Sequence, residues 1–394
     1  MTVGVQTRRD QASSVLNDPK FRGLVYQALV LIAVIALFWW LGSNAAGNLA
    51  RQNKSTGFGF LGEAAGFEIG FTLLPYSRAS SYWQVFLVGI TNTLLVAAIG
   101  IVLATIWGFI LGIARLSNNF LIRTGAAIYV EAVRNTPLLL QLFFWYFLSL
   151  NALPSVRQSI VLGDVVLNQR GLSLPVPVFD ERFIWVAAVA VLTLVVAFVW
   201  RKIALRRIEE TGHRHPVWLP MAAMFIIPTV LVYFLSGTQV SFDVPSLQGF
   251  NYRGGFTAPP ELTALTLGLV IYTSAFIAEI VRAGIQSVNY GQTEAAEALG
   301  LKDVDRLRLV IIPQAMRVII PPLTSQYLNL TKNSSLGAAI GFPELVSVFS
   351  GTALNQSGRA VEIIGMTMLV YLVISLLTSI FMNWYNARVA LVQR

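Results

Sequence analysis

The feature that most constrains this chain is a series of apolar runs, each about twenty residues long, set between polar stretches. An α-helix rises about 1.5 Å per residue, so a run of this length matches the ~30 Å hydrocarbon core of a bilayer. Eight such helices are predicted: 24–41, 84–112, 126–150, 183–200, 217–235, 262–285, one beginning near Pro321-Pro322, and 362–385. Backbone amides in lipid must be satisfied internally, which leaves helices or a closed barrel. A barrel strand alternates over about ten residues, and the sequence contains no segments of that kind. Hydrophobic residues make up 55% of the chain and charged residues 12%, about half the charged share of a soluble domain. The expected fold is all-α, a polytopic membrane protein with about eight transmembrane helices. The first run is too long for a signal-peptide core and ends in Trp39-Trp40. Paired tryptophans there read as an interfacial belt on a retained helix.

Charge then orients the chain. With eight helices both ends lie on one side. That side collects 17 Lys and Arg residues in its termini and loops, against 8 on the other. Basic residues favour the cytoplasmic side, so both termini are expected there. The net charge of +9 is thereby a property of membrane topology, and no nucleic-acid partner is expected. The chain has no cysteine, which excludes disulfides, thiol catalysis and cysteine metal sites. His213 and His215 sit together in a basic loop and read as solvated.

Charged and polar residues inside the apolar runs are the first candidates for function. Glu131 and Arg134 are three apart at the start of the third predicted helix, and Glu279 and Arg282 repeat that spacing at the inner end of the sixth. Residues three apart share a helix face. Each pair reads either as a gate or partner contact, or as a pair snorkelling to the surface. In the seventh helix Ser325, Gln326, Asn329, Lys332 and Asn333 recur at spacings of three and four, which gives one polar face. Such a face in a membrane helix is expected to line a path for a polar solute. If the helix starts at the double proline, Lys332 falls near mid-membrane; if it starts at Pro313, Lys332 comes close to the outer surface.

Between the sixth and seventh helices lies a small-residue polar island, Glu294-Ala295-Ala296-Glu297-Ala298-Leu299-Gly300, followed by Val310-Ile311-Ile312-Pro313. Gly300 is a plausible helix stop, and Pro313 biases Ile312 toward extended backbone. A short helix over 293–299 is therefore predicted, starting near Gln292 or Thr293. Its alanine surface suits either close docking into a groove on another protein or a plain connecting role. No G-x-x-x-x-G-K-[S/T] loop occurs, so the chain is not expected to hydrolyse ATP by that route. No catalytic or metal set of residues stands out.

The pattern Glu294-Ala295-Ala296, three residues, Gly300, nine residues, Val310-x-Ile312-Pro313 resembles the "EAA" loop of binding-protein-dependent ABC importer permeases. Val310 and Ile312 stand where that family usually has Ile and Leu. Thr91-Asn92-Thr93-Leu94, the stretch from Glu131 to Leu142 and Lys332-Asn333-Ser334-Ser335-Leu336 are similar to the polar amino acid (histidine/glutamine/arginine/opine) permeases. The long layout is similar to one permease of the general L-amino-acid uptake systems of Gram-negative bacteria. The resemblance covers 84–150 and 260–390 and implies a permease core there. It leaves 1–83 as an added N-terminal region and 151–259 as inserted loops around an extra helix pair. It implies ATPase coupling through Glu294, Ala295, Ala296, Gly300 and Pro313. It also implies a second permease subunit, two ATP-binding subunits that carry ATP and Mg, a periplasmic solute-binding protein, and membrane lipid around the helices. An ion-coupled secondary transporter is the alternative expectation.

Overall fold

A computed structural model describes residues 19–51, 57–211 and 216–389. The predicted His213/His215 loop lies outside these residues. Long apolar helices dominate: α1 (Pro19–Arg51), α2 (Tyr82–Ala114), α5 (Phe183–Thr211), α6 (Trp218–Ser236), α7 (Pro260–Gln286), α10 (Ile312–Asn333) and α12 (Ala360–Val389). Among the described residues, seven helical spans are long and apolar enough to cross a bilayer, with α4 (Leu138–Ala152) as a shorter apolar helix. The predicted helical membrane architecture is therefore present.

The chain divides into two compact units. Among the described residues, the first comprises 19–51, 57–91 and 345–374. Its core joins the start of α2 to the segment after residue 345: the Phe86 and Phe349 rings pack at a tilt of 53° with centroids 4.9 Å apart, among Val85, Val348 and Ile363. Gly57 N–H donates to Glu362 Oε1 at 2.7 Å, which ties the segment before α2 to the start of α12.

The second unit comprises the described residues 92–211, 216–344 and 375–389, and α7 is its axis. Small residues let neighbouring helices approach α7 closely. A Cβ on Gly112 of α2 would lie 2.7 Å from Val281 Cβ and 2.8 Å from the Ala278 carbonyl, and one on Gly108 would meet Ile277. On α7 itself, Gly268 and Gly284 admit Leu142 of α4 and Ile319 of α10. Hence Leu265, Leu269, Ala275, Ile277, Ala278 and Val281 are buried.

The third helix predicted over 126–150 is two helices. The first, α3 (Phe120–Arg134), stops at Asn135, and α4 restarts after Pro137. Proline lacks an N–H and disfavours helical backbone at the residue before it. Gln141 closes the gap, donating from Nε2 to the carbonyls of Val133 at 2.9 Å and Thr136 at 3.0 Å. Glu131 and Arg134 thus end a helix instead of starting one. The seventh predicted helix also begins earlier than Pro321. A short helix α9 (Asp303–Arg306) runs into a wider π turn over 307–311 and on into α10, with Ile312 helical. The wide turn accommodates the ring of Pro313, which has no N–H to donate. Pro321 and Pro322 lie inside α10. Lys332 is therefore twenty residues, about 30 Å, from the helix start, and the mid-membrane position expected from a Pro321 start does not hold.

The two predicted outer loops, 151–182 and 236–261, contain short strands. Four of them, β1 (Ile160–Leu162), β2 (Val165–Asn168), β3 (Gly171–Leu174) and β8 (Phe256–Ala258), form one antiparallel sheet in that order. Two further pairs are β4 (Val176–Phe179) with β5 (Val240–Asp243), and β6 (Ser246–Gln248) with β7 (Asn251–Arg253). The loops are far apart in sequence but pair because α5 and α6 form a hairpin that returns the chain beside its exit. This β layer leads directly into the first residue of α7.

Candidate coupling and translocation site

At the opposite end of α7 the chain turns into α8 (Tyr290–Ala298), whose start is capped by Asn289 Oδ1 accepting from Gly291 N–H at 2.9 Å. The stop is a Schellman motif. Gly300 has φ +72°, a left-handed conformation that glycine adopts without Cβ strain. Its N–H donates to Glu297 O at 2.9 Å, and Leu301 N–H donates to Ala296 O at 3.1 Å. Ala296 is buried under this turn, while Glu294, Ala295, Gly300 and Leu299 are exposed. Two braces hold α8 to α9 and α10: Gln314 Nε2 donates to Gln292 Oε1 at 3.1 Å, and Arg306 pairs with both Glu297 and Asp303. The outer surface of α8 thus presents small and acidic residues, flanked by exposed Tyr290, Leu299 and Val304.

Behind α8, ion pairs join three helix ends. Arg115, just beyond α2, pairs with Glu279 of α7 and lies 3.8 Å from Glu131 of α3. Glu279 is also held by Arg282, whose Nη1 donates to Gln286 Oε1 at 2.6 Å. Arg134 stacks over the Phe276 ring at 5.3 Å. The two predicted pairs, Glu131/Arg134 and Glu279/Arg282, therefore belong to one cluster. Its organiser is Arg115, whose side chain is only 13% exposed. Sequence reasoning treats Arg115 as a loop charge that reports topology. The signal available is its position at the end of an apolar run that faces two internal carboxylates.

The polar face of α10 is not packed against its own chain. Ser325, Asn329 and Lys332 are exposed, and Gln326 and Asn333 are half-buried. The opposite face carries Ile319, Leu323, Leu330 and Thr331, all buried. Tyr327 ties that side to α2 through a 2.9 Å hydrogen bond with Thr105.

Residues 215–391 match the family model described as "Binding-protein-dependent transport system inner membrane component". The chain is 51% identical over 383 residues to the general L-amino acid transport system permease protein AapQ of Rhizobium johnstonii, covering 97% of this chain and 95% of that one. The chain belongs to this permease family. The permease is also 50% identical to the putative amino-acid ABC transporter permease YhdX of Escherichia coli, over 96% of each chain. It is 39% identical to the glutamate/glutamine/aspartate/asparagine transport system permease BztB of Rhodobacter capsulatus, over 97% of each. It is a multi-pass transport component of a binding-protein-dependent ABC importer, and the ion-coupled alternative does not match these relatives.

Within the permease, Glu294, Ala295 and Ala296 lie on α8, Gly300 forms the turn that stops it, and Pro313 enters the first turn of α10. The stripe at 325–333 lies nine residues, about two and a half turns, further along its helix than a Pro321 start implied.

Proposed function

We propose that this permease is one of two membrane subunits that carry polar L-amino acids inward across the bacterial inner membrane. The amino acid class comes from the names of its relatives. Both termini are cytoplasmic in this reading, because the basic loops lie on the α8 side. The core comprises 84–150 and 260–394, with 151–259 inserted and 1–83 added at the N-terminus. ATP and Mg belong to two separate ATPase subunits, and a periplasmic solute-binding protein delivers the substrate.

The observation that carries this reading is α8: a capped, externally exposed helix at the inner end of the central helix, braced to α10. Closure of an ATPase pair around ATP moves α8. The movement passes through the π turn to α10, whose stripe of Ser325, Gln326, Asn329, Lys332 and Asn333 lines the path against the second permease. The Arg115–Glu131–Glu279–Arg282 cluster, with Arg134 beside it, acts as the inner gate by holding α2, α3 and α7 together. Only contacts that differ between states shift such an equilibrium, so α8 must meet the ATPase differently in its open and closed forms. Co-purification tests the partner: an ATP-hydrolysing subunit is expected to be retained through residues 286–316 and released when Leu299 and Ala295 are both replaced by aspartate. Retention of that subunit by the doubly substituted chain would overturn α8 as the docking element.

A further inference from the structure

We propose that the β layer at the outer end of α7 holds a binding site for a small carboxylate-bearing solute. A cavity of about 270 Å³ opens there, lined by Asn168, Arg170, Ser173, Tyr252, Arg253 and Thr257 among others. That is far more room than a single bound water needs. Its floor is a polar sheet face. Asn168 and Ser173 are each 3% exposed, and Ser173 pairs in register with Thr257, their hydroxyls 3.0 Å apart. Asn168 fixes the β2–β3 turn, accepting from Arg170 N–H at 2.8 Å and donating to Ser159 Oγ at 3.0 Å. That turn delivers the Arg170 guanidinium to the rim. Arg253 of β7 faces the same space from the other wall.

The charge at this cavity is unbalanced. None of its lining residues is acidic, and among the described residues neither Arg170 nor Arg253 forms an ion pair. Arg170 reaches only the Phe250 carbonyl, at 3.5 Å, a distance at the limit of a hydrogen bond. Basic residues are disfavoured on the outer side of a membrane protein, yet Arg170 and Arg253 meet here from two distant loops, and Arg157 stacks 5.3 Å over the Phe250 ring of the β6–β7 turn. A guanidinium presents a planar fork of donors that matches a carboxylate. Side-chain hydroxyls and an amide form the floor, in place of the backbone N–H nest that phosphate sites use. Val156 and Tyr252 give a carbon skeleton an apolar wall. Both arginines are exposed, so the site is weak, in the millimolar range. The ligand chemistry rests on the cavity alone; only its access from the periplasm rests on the orientation proposed above.

The test uses the complete transporter in nanodiscs without its binding protein, with succinate as probe and ligand-observed NMR as readout. Succinate lacks an ammonium group and so reports carboxylate recognition. Succinate is expected to bind the parent, and its dissociation constant to rise about tenfold or more in the R170Q/R253Q double variant. The R170K/R253K variant, which keeps charge but loses the fork, is expected to fall between them, and unchanged assembly on size exclusion certifies its fold. Binding that is equal in parent and R170Q/R253Q would overturn the site, as would absence of succinate binding to the parent or tighter binding of inorganic phosphate than of succinate. Binding should survive Glu294→Lys, so failure of the coupling reading leaves this test standing.

Discussion

At the residue scale the permease depends on a few side chains whose roles come from their neighbours. Gly300 was legible as a helix stop, and Glu294 and Ala296 through the family pattern; the helix start was expected near Gln292 or Thr293 but lies at Tyr290, because Asn289 caps it. Arg115 was not legible as a contact. Its partners Glu131 and Glu279 are 16 and 164 positions away, and only helix packing brings them together. With Arg115 13% exposed and Glu279 26% exposed, the charge-assisted bond between them contributes about 2 kcal/mol. Arg115→Ala is expected to lower the thermal midpoint of the purified transporter by that amount of stability, and Arg115→Lys by less, since a lysine keeps the charge without the fork. Equal midpoints for parent and Arg115→Ala would remove the cluster from the account. A glycine example runs the other way. Gly300 has open space around it, so its value lies in backbone conformation, whereas Gly112 has a carbonyl 2.8 Å from where a Cβ would stand. Sequence alone does not separate those two glycines.

At the element scale, apolar length gave the helices and proline gave their interruptions, but the effect of each proline depended on what could replace its missing donor. Pro137 breaks a helix because the chain can restart under Gln141. Pro313, Pro321 and Pro322 do not break theirs. Pro313 sits where the first turn needs no donor, and a π turn precedes it. This moves Lys332 toward the C-terminal end of α10 and leaves the stripe of Ser325, Asn329 and Lys332 exposed on one side. A polar stripe exposed on a membrane helix requires an aqueous path or a polar partner. Asn329→Ala and Lys332→Ala are each expected to cut amino acid uptake by about tenfold, the scale of one lost charged or polar contact, with normal amounts of protein in the membrane. Full uptake in both variants would remove this face from the path.

At the scale of the whole molecule, the helical class and the family were readable from the sequence. The β layer was not. Its strands are three or four residues long, too short for a clear alternation, and their pairing depends on the α5–α6 hairpin bringing β4 to β5 and β3 to β8. The same layer and α8 stand at opposite ends of α7, which is 27 residues, or about 40 Å, long. The natural absence of cysteine makes that topology directly measurable. A single cysteine at Asp164, in the β1–β2 turn, is expected to react with a membrane-impermeant maleimide in intact cells. One at Glu297, on α8, is expected to react only after the membrane is opened. Reversed labelling would reverse the orientation.

The account's central claim is that α8 couples an external ATPase to the path. It is tested most directly in proteoliposomes containing the assembled transporter, by measuring ATP hydrolysis stimulated by loaded binding protein together with amino acid uptake. The Glu294→Lys variant inverts the charge at one exposed position of α8 without touching the buried Ala296 or the Gly300 turn. The account predicts that stimulation and uptake are both lost while the permease still inserts into the membrane. Stimulated hydrolysis and uptake at the level of the parent would contradict it.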